Sequence, residues 1–166
     1  MKLVGNKGNF AVEFEIVDFD RLMGYSKIWF GNNFIGTSED LIYLESYLLI
    51  GLEKIGNAAV HKIDLVYNSE EDLYNYFNNR LLNSNDNGAH KYLVYFGSFC
   101  DDFTVFSFLQ DNMINIIWRL HNNITPFKDL KNQNTSIKSF KIKKEKYLKE
   151  LDIIKEAIMS QKECEM

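Results

Sequence analysis

The segment at residues 95–108, YFGSFCDDFTVFSF, places a thiol and two carboxylates, those of Cys100, Asp101 and Asp102, in an aromatic part of the chain. A nucleophilic cysteine needs a neighbouring base or positive charge that holds it as the thiolate. The sequence neighbours of Cys100 are carboxylates, which raise the pKa of a thiol. We therefore predict that Cys100 is a buried or half-buried turn residue and has no catalytic role.

Other residues able to do chemistry lack the required spacing. His61, His90 and His121 lie far apart, without the H-x-x-x-H or C-x-x-C spacing of a metal site. Glu13 and Glu15 would project from one face of a strand about 7 Å apart, as an acid/base pair can, but an exposed sheet face gives the same pattern. No glycine cluster has the order of a phosphate-binding loop. The sequence predicts no catalytic residue, no metal site and no cofactor.

Composition and charge narrow the class of protein. With 166 residues, 46% of them hydrophobic, the chain can form one domain with a substantial core. Residues 1–120 carry a net charge of −7 and residues 121–166 one of +3. An acidic body suits a basic partner better than a nucleic acid. Because no apolar run is long enough for a signal peptide or a membrane span, we expect a cytoplasmic protein with reduced cysteines and no membrane association.

Alternating and β-rich runs predict the strands. Residues 10–17 alternate apolar and polar types, which indicates a half-buried strand with its glutamates outside. Residues 25–36 are extended on both sides of Gly-Asn-Asn, which predicts a hairpin. Three β-rich runs within residues 90–121 are separated by short polar breaks and predict an antiparallel meander. Cys100 and its two aspartates would occupy the first reversal of that meander. A short strand is predicted over residues 61–67.

Apolar stripes and capping residues predict three helices. Leucines at spacings of three and four follow Thr37-Ser38 and indicate a helix over residues 39–55. Ser69 and the three acids after it favour a helix over residues 69–82. A lysine-rich amphipathic helix is expected over about residues 138–160. The sequence therefore predicts an α+β fold in a single domain, residues 1–166, with one antiparallel sheet covered on one face by helices and the C-terminal helix at its periphery.

Two N-terminal segments, GNKGNFAVEFEIV and GYSKIWFGNNFIGTSEDLIYLESYLLIGLEKI, carry a family resemblance. They resemble a family of immunity proteins encoded beside bacterial polymorphic toxins and contact-dependent growth inhibition toxins. The resemblance covers about the first 55 residues, and the rest of the chain agrees in the order of its elements. It implies a small cytoplasmic protein without an active site, which binds and neutralises the C-terminal domain of one cognate toxin, often a nuclease.

The resemblance transfers no binding residue, so charge and placement must indicate the interface. Carboxylates can take the place of phosphate groups in binding a basic toxin domain. We expect a one-to-one complex. We favour the reversal before the second run of the meander, because turns project furthest and aromatic residues flank it. The candidate toxin-binding residues are Asp101, Asp102, Phe99 and Phe103 at this reversal, Glu13 and Glu15 on the first strand, and Glu70, Glu71 and Asp72 at the start of the second helix.

Two other classes of protein remain open from the residues alone. A small hydrolase would use Asp101, Asp102 and a distant histidine, and would need a concave pocket in which these groups converge. A regulatory module would use the basic C-terminal helix to bind nucleic acid or a partner helix.

Overall fold

The computed structural model of this protein describes residues 1–61, 69–83, 88–122 and 124–163, without the side chains of residues 162 and 163. Over these ranges the backbone forms two antiparallel sheets and three α-helices, the first of which continues a π-helix. The predicted α+β class, with antiparallel strands, covering helices and a C-terminal amphipathic helix, is confirmed. The strand predicted over residues 61–67 lies, apart from His61, outside the described residues.

The first sheet is built around the predicted hairpin. Its strands are β1 (Lys2–Gly5), β2 (Phe10–Asp18), β3 (Met23–Phe30), β4 (Asn33–Ile35) and β5 (Ile42–Tyr43). Strands β1 to β4 neighbour each other in sequence order, and β5 also pairs with β3. Gly31 and Asn32 connect β3 to β4 with φ angles of 57° and 66°. Because two positive φ values suit a tight hairpin turn, the sequence marked this reversal correctly.

The second sheet contains the predicted meander. Its strands are β6 (Leu93–Val94), β7 (Phe103–Gln110), β8 (Met113–Leu120) and β9 (Lys138–Lys143), paired in this order. The prediction of one sheet is therefore wrong. Phe30 of the first sheet packs against Trp118 and Phe140 of the second, with ring centroids 5.9 and 5.7 Å apart. The two sheets thus bury apolar side chains against each other and do not extend one another edge to edge.

The second sheet is covered on both of its faces, whereas we expected helices on one face only. Helix α2 (Glu70–Leu82) packs Tyr74 and Phe77 against Phe106 on the face turned away from the first sheet. The hydroxyl of Ser69 accepts a hydrogen bond from the N–H of Asp72 at 3.1 Å. The capped helix predicted over residues 69–82 is therefore confirmed. Burial on both faces explains why the strands of this sheet are so continuously apolar.

The helix predicted over residues 39–55 begins later. The π-helix Leu44–Leu49 continues into α1 (Ile50–Gly56). The N–H and hydroxyl of Ser38 donate to the carboxylate of Asp129, at 3.0 and 3.1 Å, and so do not cap the helix. Of the residues between this contact and the π-helix, Ile42 and Tyr43 form β5, which pairs with β3.

The C-terminal helix α3 (Lys144–Glu163) begins later than predicted, because residues 138–143 pair with β8 as strand β9, and it is part of the core. Tyr147 and Ile154 are fully buried, and the ring of Tyr147 stacks on that of Phe10 at 4.7 Å. The hydroxyl of Tyr147 donates a hydrogen bond to the carbonyl oxygen of Leu52 at 2.9 Å. The helix therefore joins the first sheet to α1.

Candidate protein-binding surface

The segment around Cys100 is a compact turn that folds back onto the body. Ser98–Cys100 form one turn of 3-10 helix before β7. Cys100 is 5% exposed, and burial together with the charge of Asp101 raises the pKa of its thiol well above the usual value. The predicted buried turn cysteine is confirmed. A thiol with a raised pKa is a poor nucleophile at neutral pH.

The two aspartates of this turn have different surroundings. Asp101 is exposed. Asp102 is half-buried, and its carboxylate accepts a hydrogen bond from the hydroxyl of Thr125 at 2.8 Å. Its backbone carbonyl accepts one from the N–H of His121 at 2.9 Å. Asp102 therefore holds the turn in place, whereas Asp101 presents its charge to solvent.

The aromatic residue beside Asp101 is not one of the two that we expected. Phe99 and Phe103 are 1% and 8% exposed, so both belong to the core and cannot present their rings to a partner in this structure. Phe99 is drawn inward because Gly36 leaves room for its ring, so close that a Cβ atom at Gly36 would lie 2.5 Å away. The exposed ring is that of Tyr95, which is 68% exposed. The negative charge of Asp101, and a hydrogen bond from the Tyr95 hydroxyl to its carboxylate, raise the pKa of Tyr95.

Two glycines place Tyr95 beside the π-helix. Gly97 has a φ angle of 79°, and a Cβ atom there would lie 2.4 Å from the ring of Tyr47. Gly51 lies under Phe96, where a Cβ atom would lie 2.1 Å from the ring. Each glycine thus accommodates an aromatic ring from the facing segment, since any side chain would occupy the same space. The segment at residues 95–97 and the helix are therefore held in one fixed arrangement.

Residues in and next to the π-helix extend this aromatic surface. Tyr43 is 45% exposed and its ring meets that of Tyr47 edge to face, with centroids 6.4 Å apart. Ile50 follows Tyr47 by three residues and is 56% exposed. We call Tyr43, Tyr47, Ile50 and Tyr95 the tyrosine face. The sequence did not indicate it, because its members come from two segments that lie far apart in the chain.

The strand pair Glu13 and Glu15 is only partly available to a partner. Glu13 lies 2.5 Å from the ammonium of Lys7 and accepts a hydrogen bond from the indole of Trp29 at 2.9 Å. Burial alone would raise the pKa of Glu13, but these hydrogen bonds lower it below its usual value. Glu15 is more exposed and lies 3.7 Å from the N-terminal ammonium group of Met1. The charge of Glu13 is therefore already neutralised within the molecule.

The acids at the start of α2 border a separate depression. Glu70, Glu71 and Asp72 are exposed, and Glu70 accepts a hydrogen bond from the hydroxyl of Ser139. An open depression of about 410 Å³ is lined by Glu70, Glu71 and Arg119, but not by Asp72. This surface combines both signs of charge, unlike the turn at Asp101.

Two of the groups that a hydrolase would require, Asp101 and His121, line different depressions. The hollow beside Asp101, of about 210 Å³, is lined mainly by apolar residues, and no histidine is among its described lining residues. His121 lines another hollow, with Tyr74 and Arg119. His61 is buried beneath α2, with Nδ1 3.2 Å from the hydroxyl of Tyr92. This geometry does not favour the hydrolase, because acid and base must meet at one reacting atom.

Two further kinds of site are absent from the described part of the chain. No group of three His, Cys, Asp or Glu residues there could hold a metal ion. Nor does any helix within those ranges combine the length and apolarity needed to cross a membrane.

On α3, the ammonium groups of Lys146 and Lys155 lie 3.9 and 2.5 Å from the carboxylates of Glu150 and Glu53. Part of the positive charge on that helix is therefore balanced within the molecule.

Comparison with known proteins identifies the family of this chain. The crystal structure of CdiI from Burkholderia dolosa AUO158 superposes with a TM-score of 0.62, over 96% of this chain and 99% of that one. At 17% sequence identity, this similarity shows a shared fold. No curated protein sequence matches. The family model of Immunity protein 42 matches residues 1–159, almost the whole chain. The protein therefore belongs to the Immunity protein 42 family, as the N-terminal resemblance to immunity proteins had predicted.

Proposed function

We propose that this immunity protein neutralises its toxin by forming a one-to-one complex with a basic C-terminal toxin domain, and that this domain is a nuclease. The observation that carries the proposal is the exposed pair of Asp101 and Tyr95 on a body with a net charge of −7 over residues 1–120. A nuclease must attract phosphate groups with positive charge, and an exposed carboxylate can take the place of a phosphate. Complementary charges of this kind accelerate association and select the partner.

The protein would act by binding alone, in the cytoplasm, where a nuclease toxin meets its substrate. Family membership supports an inhibitor without catalytic chemistry of its own. The location of Asp101 and His121 in different hollows supports the same view. Nucleic acid is a poor partner for the acidic body, because affinity for phosphates depends on basic side chains that displace counterions.

The test reverses one charge at the turn. Asp101→Lys should slow association with the purified C-terminal toxin domain encoded beside this gene, and should speed dissociation, because close charge pairs across interfaces couple by about 1.5–7 kcal/mol. Asp101 is the better choice than Asp102, whose carboxylate is bonded to Thr125. Binding kinetics should be measured at low and moderate salt, since screening weakens the exposed charge.

Asp20→Lys is the matched control, because Asp20 is also exposed but lies at the turn between β2 and β3. It should change association only slightly. Equal kinetics for Asp101→Lys and the wild-type protein at both salt concentrations would remove the turn from the interface. Failure of the wild-type protein to bind the toxin domain at all would refute the complex itself.

A further inference from the structure

The tyrosine face is an exposed apolar surface that the acidic residues alone do not explain. Tyr43, Ile50 and Tyr95 are 45%, 56% and 68% exposed, and the half-buried ring of Tyr47 lies among them. Single exposed apolar residues are common on protein surfaces, but clustered large ones mark interaction sites. Tyrosine is also enriched among the residues that carry most of the energy of protein–protein interfaces. This surface therefore has the composition expected at the centre of an interface.

The tyrosine face is fixed before any partner arrives. Leu44, Leu48 and Leu49 of the π-helix are buried in the core, and the ring of Tyr47 lies against Gly97. A π-helical turn is rare in proteins and frequently occurs at functional sites. Tyrosine has few rotatable bonds, and its fixed backbone lowers the entropy lost on binding. The surface is thus preorganised and does not need to be ordered by its partner.

The two segments that build the tyrosine face are mainly negative. Residues 39–53 and 92–102 contain six Asp or Glu and no Lys or Arg, and one of these acids, Glu53, is paired with Lys155 of α3. Asp101 stands beside Tyr95, and Glu45 is exposed on the π-helix between Tyr43 and Tyr47. A partner that covers this surface must bring positive charge and must also be able to pack on aromatic rings.

We propose that the tyrosine face is the centre of the toxin interface, with Asp101 and Glu45 at its rim, and that the toxin domain presents arginine side chains to it. This inference rests on the proposed toxin complex. Arginine fits both parts of the surface, because its planar guanidinium stacks on tyrosine rings and forms paired hydrogen bonds with carboxylates. Lysine, a compact and strongly hydrated charge, matches the carboxylates but stacks less well.

The main test truncates exposed members of the tyrosine face. Tyr95→Ala should raise the Kd for the purified toxin domain encoded beside this gene by about 30-fold or more, the size of effect seen for residues that dominate an interface. Tyr43→Ala should raise it by about 10-fold, since its ring is less exposed. Tyr47 is left intact because its ring also packs on Gly97. Thermal melting of each variant confirms that the fold is kept.

A matched pair of isoleucines provides the control. Ile50→Ala on the tyrosine face should weaken binding by about fivefold, whereas Ile153→Ala on α3, which removes an equally exposed side chain, should leave the Kd within about twofold. If the wild-type protein binds but the three variants Tyr43→Ala, Ile50→Ala and Tyr95→Ala bind equally well, the tyrosine face is refuted while the complex stands. If the wild-type protein does not bind, the proposed function fails instead.

A competition experiment tests whether the tyrosine face prefers arginine to lysine. A hexa-arginine peptide should displace the toxin domain at a concentration about tenfold lower than a hexa-lysine peptide, and this difference should vanish in Tyr95→Ala. Equal displacement by the two peptides on the wild-type protein would overturn the preference for arginine.

Discussion

Replacing Gly51 with alanine should destabilise this protein, although alanine is the better helix former. In an open helix the change would gain about 1 kcal/mol. Here the new Cβ atom would lie 2.1, 2.5 and 2.9 Å from three ring atoms of Phe96. Phe96 is 1% exposed and packs edge to face on Phe99, so its ring has little room to move. Overpacking a core costs about 1–3 kcal/mol, and contacts this short place the cost at the upper end.

The net expectation for Gly51→Ala is a loss of about 1–2 kcal/mol in the free energy of unfolding, which lowers Tm by about 2–8 °C for a chain of this size. Urea denaturation followed by circular dichroism measures it. Phe96→Leu is the partner variant, because a smaller side chain makes room for the Cβ atom. In the double variant, Gly51→Ala should become neutral or stabilising, and this non-additivity identifies the contact. A higher urea midpoint for Gly51→Ala alone would refute the reasoning.

Two further variants test groups whose surroundings are well defined. Asp129→Asn should lower the free energy of unfolding at pH 7 by about 1–3 kcal/mol, because Asp129 lies 2.9 Å from the ammonium of Lys27 and accepts a hydrogen bond from Thr37 at 2.8 Å. Burial alone would raise the pKa of Asp129, but these bonds lower it below its usual value. The greater free energy of unfolding of the wild-type protein should therefore be fully present above about pH 4, and should be lost as the pH falls through the lowered pKa. Urea denaturation of both proteins across this pH range measures the difference. Cys100→Ser should leave toxin neutralisation unchanged and cost about 1 kcal/mol of stability, since a hydroxyl replaces a buried thiol. In a Cys164→Ser background, the thiol of Cys100 should react with Ellman's reagent only on unfolding, and fast reaction of the native protein would contradict its burial.

The sequence revealed those elements whose signals are local. The alternation of β2, the Gly-Asn turn of the hairpin and the cap at Ser69 each depend on a few consecutive residues, and each was predicted correctly. Strand β9 was missed because Ile142 is its one fully buried member, so its alternation is weak. The division into two sheets depends on contacts such as that of Phe30 with Trp118, between residues far apart in the chain. No local pattern contains such information.

In the candidate binding surface, too, the sequence predicted local features and missed those that depend on contacts between distant segments. The sequence located Asp101 correctly in a turn, since short polar breaks between β-rich runs must reverse the chain. It did not reveal that Phe99 would point inward, because the space that its ring fills is left by Gly36, on another strand connection. By its low helix propensity alone, Gly51 would only weaken its helix. Its role depends on Phe96, so the physical reason for this glycine becomes visible only when the two segments are seen together.

The hydrogen bond from Tyr147 to the carbonyl of Leu52 has a consequence for biosynthesis, because it spans 95 residues of chain. Ribosomes add about 5–20 residues per second, so Leu52 is made about 5–20 s before its partner. During this time the apolar side of α1 and the ring of Phe10 lack the cover that α3 later provides. The nascent chain is then most exposed to aggregation and proteolysis. A cell therefore gains protection only when translation has passed α3, and a nonsense mutation just before Tyr147 should abolish immunity even though both sheets have already been synthesised.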